Sequence, residues 1–293
     1  MWGQWGFPNS GTENAGNLVL YHDLTLVVAV VVLVLVVWFL GIFLFGKFFF
    51  GGMMNRYVHK NDLLEIVWTV SPAFVLFILG YVSLVNLYQM ELGDKTEHLV
   101  KVTGHQWYWD YEYMVSFDDY EKLGYVGWFC GELMDNEFDS IDWILKFCGD
   151  LGLLQLVGEW NLNYDSFMVP LSDLLSKFPS FESGFRNADV TNPCFMARSS
   201  NNEVLICTTD VMHSWGLSEL GVKVDAVPGR TNSLGIIPYS SGVAYGNCYE
   251  LCGVGHSTMP IKAVIGSFSD IYWLLKNMIL ETEEVDGFLN ELE

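Results

Sequence analysis

Polar and apolar positions divide the chain into two regimes. Leu24 to Gly46 holds no charged residue, and neither does Ile66 to Met90. Each run is long enough to cross a hydrocarbon core of about 30 Å as a helix of about 20 residues. Pro72 interrupts the second run, which a membrane helix tolerates where neighbours re-satisfy the freed carbonyl. Between the runs, Lys47 to Leu64 carries Lys47, Arg56 and Lys60. Short basic loops stay on the inner side of a membrane, which puts both ends of the chain outside.

Beyond Leu92 the period changes to two. His98 to Val102 reads as a strand, and the aromatic run from Gly104 to Tyr113 suits a sheet core. Further β-like segments are Glu203 to Thr209, Gly221 to Val227, Thr231 to Ile237, Val243 to Tyr249 and Pro260 to Gly266. Short strands at close spacing with Gly and Pro turns predict an antiparallel sandwich or barrel. Ile271 to Leu280 is apolar at helical spacing, which predicts a solvated surface helix before an acidic tail. The predicted division is an outer segment 1–23, a hairpin anchor 24–92, a β domain 93–267, and a helix with its tail 268–293.

Charge narrows the partners. A formal net charge of −21 over 293 residues excludes nucleic acid, which needs clustered Lys and Arg, and favours basic protein partners. Met1 to Asp23 is rich in Gly and Asn and has no Lys or Arg. It matches neither a secretory signal nor a transit peptide.

The chemistry concentrates in Cys248 to Met259. This glycine-punctuated stretch holds Cys248, Cys252, His256 and Met259. Thiolate, thioether and imidazole together select copper among first-row metals. One Cys, one His and one Met suffice for a single copper, so the second Cys is the informative residue. Two thiolates on one loop can bridge two ions, each of which then needs an imidazole and a weak ligand. The loop has one His, and His213, placed at the end of the strand-like run Val204 to Thr209, is the natural second. A bare Cys-x-x-x-Cys also fits a disulfide in an oxidising compartment. The other cysteines, Cys130, Cys148, Cys194 and Cys207, show no second metal spacing.

Cys248-Tyr249-Glu250-Leu251-Cys252-Gly253 with His256 and Met259, preceded by Asp210-Val211-Met212-His213-Ser214-Trp215, resembles subunit II of the haem-copper cytochrome c oxidases. The segment Leu220 to Arg230 resembles that family's contact with subunit I. The resemblance implies a two-helix transmembrane hairpin followed by a cupredoxin-like Greek-key β-barrel. It implies a binuclear copper A centre bridged by Cys248 and Cys252, with His213 and His256 as terminal ligands. It further implies Met259 and the backbone carbonyl of Glu250 as the weak axial ligands, and the Glu250 side chain as a ligand to magnesium at the subunit I contact.

The same resemblance assigns roles outside the loop. In His105-Gln106-Trp107-Tyr108-Trp109, Trp107 is the exposed residue that receives the electron from cytochrome c. Glu112 and Asp210 match docking positions for that partner. Leu64-Glu65-Ile66-Val67-Trp68-Thr69 resembles the start of the family's second helix, where Glu65 lies at the inner mouth of a proton path. A plain alternative for Glu65 is a capping pair with Asp62. The implied function is to take electrons from cytochrome c and pass them to haem in subunit I, where oxygen is reduced with proton pumping. The implied partners are subunit I, other oxidase subunits, cytochrome c and membrane lipid. The initial Met, the lack of a cleavable presequence and the outward termini point to a mitochondrial inner membrane, with the copper domain facing the intermembrane space. The alternative is a bacterial plasma membrane with that domain on its periplasmic face.

Three other functions compete. A quinol oxidase subunit II shares the architecture but lacks the copper ligands. Nitrous oxide reductase has the ligands but also a catalytic domain, and a membrane-anchored interaction subunit would oxidise its cysteines to a disulfide. The chain departs from the family over 116–162, an addition of about fifty residues, too long for a plain loop in a compact domain. Its many aromatic residues predict order, and Asp139 or Ser140 fits the cap of a helix bearing Ile141, Ile144, Leu145 and Cys148, facing a partner. Cys130 and Cys148 are a pair or two free thiols. Pro193 stands where the family has an arginine, which leaves a strand around Cys194 open.

Overall fold

In the computed structural model the described residues are 6–49, 60–90, 96–117, 158–177 and 185–280. They form two compact units. In the first, helices α1 (Glu13–Phe49) and α2 (Asp62–Gln89) are both long and apolar enough to cross a membrane. Helix α1 starts well before the charge-free run and takes in Glu13, Asn17, His22 and Asp23. Glu13 in its first turn suits the positive end of the helix dipole. Asn17 near the start of α1 donates to Gln89 Oε1 at the end of α2, at 3.0 Å, so the two helices run antiparallel. The expected Asp62–Glu65 capping pair does not form. Asn61 is the N-cap instead, its Oδ1 accepting from the Leu64 N–H at 3.1 Å. It is the residue just outside the helical turn, where a side-chain oxygen can reach an orphan N–H.

The second unit is built on two five-stranded sheets. One has the order β3 (Gly158–Ser166), β2 (Tyr108–Phe117), β1 (His98–His105), β5 (Asn202–Thr208), β8 (Asn232–Ile236). The other has the order β4 (Cys194–Ala197), β10 (Pro260–Gly266), β9 (Gly242–Cys248), β6 (His213–Leu217), β7 (Val222–Ala226). The predicted strands appear within a residue of their expected bounds, except that β1 runs three residues beyond Val102 to His105, and together they make the expected two-layer β domain. The expectation of purely antiparallel pairing is corrected, because β1 pairs parallel with β5 and β4 parallel with β10. Strand β5 alternates buried and half-buried positions along its whole length, and its buried members Val204 and Ile206 face a core with Val102, Trp109, Tyr111, Trp215 and Leu217.

Three further differences have physical causes. A strand does form around Cys194, where β10 supplies the pairing partner and the Tyr113 hydroxyl accepts from the Phe195 N–H at 2.7 Å. The edges of the expected insertion are sheet: Ser116 pairs with Glu159 and Phe117 with Gly158, so β2 and β3 are two arms of one antiparallel pair. The expected helix over Ile141 to Cys148 and the Cys130–Cys148 question lie outside the described residues. Helix α3 (Leu171–Lys177) follows β3 and was not expected. Helix α4 (Phe268–Leu280) is packed rather than solvated, with Ile271, Leu275 and Ile279 buried at one-turn spacing against β3, β4 and β10. Each such side chain contributes about 1.5–3 kcal/mol on burial, enough to hold so short a helix in place.

Candidate metal centre

Strand pairing brings the first two donors together. Trp215 of β6 lies opposite Cys248 of β9, and the Tyr249 N–H donates to the Ser214 carbonyl at 3.1 Å. His213, which opens β6 rather than closing β5, thereby meets Cys248, with Nδ1 at 4.0 Å from Sγ. The next donors come from the loop between β9 and β10. Cys248 Sγ lies 3.2 Å from the Glu250 carbonyl oxygen. Cys252 Sγ lies 3.6 Å from His256 Nδ1 and 3.5 Å from Met259 Sδ. Each thiol thus has its own imidazole. The donor atoms of His213, Cys248 and Cys252 all fall within 4.8 Å of one another, and these three residues are buried.

Both cysteines are free thiols, so the disulfide alternative is not what the fold contains. Two sulfurs, two imidazole nitrogens, a thioether and a carbonyl form a soft set suited to copper and unsuited to magnesium or calcium. Electrostatics fit the same use. Burial pushes the Cys248 thiol up, but hydrogen bonds with His213 and the Ser214 and Glu250 backbones outweigh it and hold the group down at about 7. Burial and the neighbouring Cys248 charge push Cys252 up to about 12. The pair therefore gives up one proton readily and keeps the second until a cation compensates the charge.

Support comes from residues outside the donor set. His213 Nε2 lies 2.9 Å from Asp210 Oδ1, which leaves Nδ1 as the nitrogen turned toward the thiol. A carboxylate behind a ligating imidazole fixes its tautomer and ring orientation. Burial would lower the His213 pKa, yet the contacts with Cys248 and Asp210 raise it. Burial would raise that of Asp210, yet bonds from His213, Val211, Gln106 and Thr208 lower it. The Trp109 indole N–H donates to the Met259 carbonyl at 3.3 Å, and Ser214 donates to Asp225 at 2.7 Å, tying β6 to β7.

Trp107 sits in the turn between β1 and β2, 37% exposed, with its indole N–H donating to the Cys252 carbonyl at 3.2 Å. Gln106 donates to the same carbonyl through Nε2 at 2.9 Å and through its backbone N–H to Asp210 at 2.7 Å. Glu112 on β2 is engaged by Lys101 at 2.6 Å. The Glu250 side chain is half-buried and belongs to no second cluster of metal-binding groups among the described residues. Glu65 lies exposed in the first turn of α2, within the helical unit. Sequence reasoning missed Gln106, Trp109 and the inward task of Asp210. Their position within the two motifs was the available signal, since neither spacing nor period shows which way a side chain in a turn is aimed.

Two family models match the chain: cytochrome c oxidase subunit II, transmembrane domain, over residues 1–85, and cytochrome c oxidase subunit II, periplasmic domain, over residues 154–266. Cytochrome c oxidase subunit 2 of Culex quinquefasciatus is 31% identical over 260 residues, covering 89% of this chain and 90% of its own. The Choristoneura rosaceana protein of the same name is 30% identical over 278 residues, covering 95% and 96%. Among solved structures, the periplasmic domain of subunit II of cytochrome oxidase from Bradyrhizobium japonicum aligns at 24% identity over 64% of this chain and 96% of that one, with a TM-score of 0.42.

Proposed function

The chain belongs to the cytochrome c oxidase subunit II family, and from that premise we propose that it is the electron-entry subunit of a proton-translocating oxidase. It takes electrons from cytochrome c and delivers them to haem in subunit I, where oxygen is reduced. The observation that carries this reading is the convergence of two free, buried thiols with two imidazoles and a thioether. Cys248 and Cys252 would hold two copper ions between them, His213 and His256 would close the ends, and Met259 with the Glu250 carbonyl would sit on the weak positions. When bound, a binuclear copper centre supplies a one-electron carrier whose charge change is shared between two ions.

The chain's own residues do the rest. Asp210 fixes the ring of His213, burial keeps water from the sulfurs, and Trp107 offers an exposed aromatic ring bonded to the carbonyl of a ligand residue. A net charge of −21 suits a basic cytochrome c, for which Glu112 and Asp210 would be docking acids. The Glu250 carboxylate would hold magnesium together with groups from subunit I. Glu65 would serve the mouth of a proton path, a role supported by its exposed position in the first turn of α2. The two apolar helices anchor the chain in lipid, and the basic residues Lys47, Arg56 and Lys60 place the loop between them inside. The compartment proposed is the mitochondrial inner membrane with the copper domain in the intermembrane space; a bacterial plasma membrane with the domain on its periplasmic face is the alternative.

The test is copper content and near-infrared absorption of the purified oxidase. Two coppers held by this subunit, with a mixed-valence band, are expected. A copper-free chain with a Cys248–Cys252 disulfide would make it an interaction subunit instead.

A further inference from the structure

Trp107 rests on a part of the metal loop that has no side chain to obstruct it. A Cβ built on Gly255 would stand 2.8 Å from Cε3 of Trp107 and closer still to Cδ2 and Cγ, separations that real Cβ atoms do not show. One built on Gly253 would stand 3.3 Å from Cζ2 of the same ring. Just before these glycines, the Cys252 carbonyl accepts from the Trp107 indole and from the Gln106 amide. The ring therefore lies along the loop from Gly253 to Gly255 while bonded to a residue that supplies a metal ligand.

The two glycines are required for different reasons. Gly253 has φ +118°, a conformation L side chains rarely adopt, so its backbone alone demands glycine. Gly255 has φ −88° and ψ 11°, the ordinary third position of a type I turn, open to most residues. The three heavy atoms nearest that Cβ all belong to the indole, so among the described residues it is this ring that a side chain at position 255 would meet first.

We infer that Gly255 is a positioning residue for electron entry: its missing Cβ lets the Trp107 ring seat against the ligand loop and reach the Cys252 carbonyl. This rests on Trp107 being the entry point. The ring undergoes no net oxidation or reduction. One electron leaves the haem iron of reduced cytochrome c, which passes from ferrous to ferric, and the same electron arrives at the centre that Cys252 helps to hold. No bond breaks and no proton moves.

The experiment compares intact oxidase carrying Gly255→Ala, Trp107→Ala, or both. Hydroxyl-radical labelling of Trp107 read by mass spectrometry, the near-infrared copper band, and single-turnover reduction by cytochrome c are measured on each. Gly255→Ala is expected to raise labelling of a ring that is 37% exposed in the native fold, and to leave the copper band in place. It is expected to slow reduction by up to about 100-fold, the scale for displacement of a reacting group by about 1 Å. In the Trp107→Ala background the glycine change should cost nothing further, because the ring it meets is gone. Unchanged labelling and rate in Gly255→Ala beside a slow Trp107→Ala would overturn the role of Gly255 alone. A Trp107→Ala oxidase reduced at the wild-type rate would overturn the entry role beneath it. Should Gly255→Ala fail to assemble, assembly of the double variant supports the steric account, and failure of both overturns it.

Discussion

The hairpin and the metal loop use their side chains in opposite ways. Along α1 almost every residue from Leu24 to Gly46 is exposed, and each contributes by being apolar toward lipid. In the metal centre, Cys248, Cys252, Met259 and His213 are 6%, 4%, 1% and 0% exposed, and each contributes one particular atom. A surface made by composition tolerates exchange of one apolar residue for another. A site made by converging atoms does not, because a missing donor leaves its neighbours buried and unsatisfied.

The sharpest break of that contrast is Cys252→Ser. A hydroxyl is a poor bridge for soft copper, so the proposed binuclear centre and its near-infrared band should be lost. A variant retaining two coppers and the native spectrum would sink the ligand assignment. Asp210→Ala comes next. Loss of the carboxylate behind His213 should weaken copper binding about 10- to 100-fold, measured by competition with a chelator. Glu112→Gln, whose partner is Lys101, should leave that affinity unchanged.

A graded test is the pH dependence of copper binding to the metal-free chain. Binding needs both thiolates, so it releases protons and strengthens as pH rises. Cys248, held down at about 7, is already ionised above that point, while Cys252, pushed up to about 12, keeps its proton. Between those values the Kd should fall about tenfold per pH unit, for one proton released, and more steeply below the lower one. The sign for stability follows from the depressed group. Cys248 stabilises the metal-free fold fully above its ordinary 9.0, and that contribution is lost as pH falls through about 7. A pH-independent Kd would mean that both sulfurs are ionised before copper arrives.

The smallest effect belongs to the hairpin. Asn61→Ala should cost about 1 kcal/mol, the worth of an N-cap side chain, seen as earlier loss of helix on heating in detergent. Glu65→Gln should leave that helix intact, because Asn61 and not Glu65 caps it. Slower proton uptake in Glu65→Gln oxidase then reports on the proton path rather than on folding, and unaffected uptake removes Glu65 from it.

What the residues alone determined is local. Charge-free runs mark the two helices because a span needs only apolar length, and alternation marks β5 and β10 because a strand repeats every two residues. The donor set Cys248, Cys252, His256 and Met259 was legible because all four fall on one short loop and few residue types bind copper. The fold alone decided how distant segments meet. That β1 runs parallel to β5, that β10 completes a strand at Cys194, and that Trp215 faces Cys248 so that His213 reaches the thiol are consequences of pairing between segments far apart in the chain. Periodicity is blind to such pairing, since the same alternation serves either direction and any partner. Asp210 turned inward to His213, and Trp107 was laid on Gly255, for the same reason: side-chain direction in a turn is set by what packs against it, and that partner is supplied by the tertiary structure.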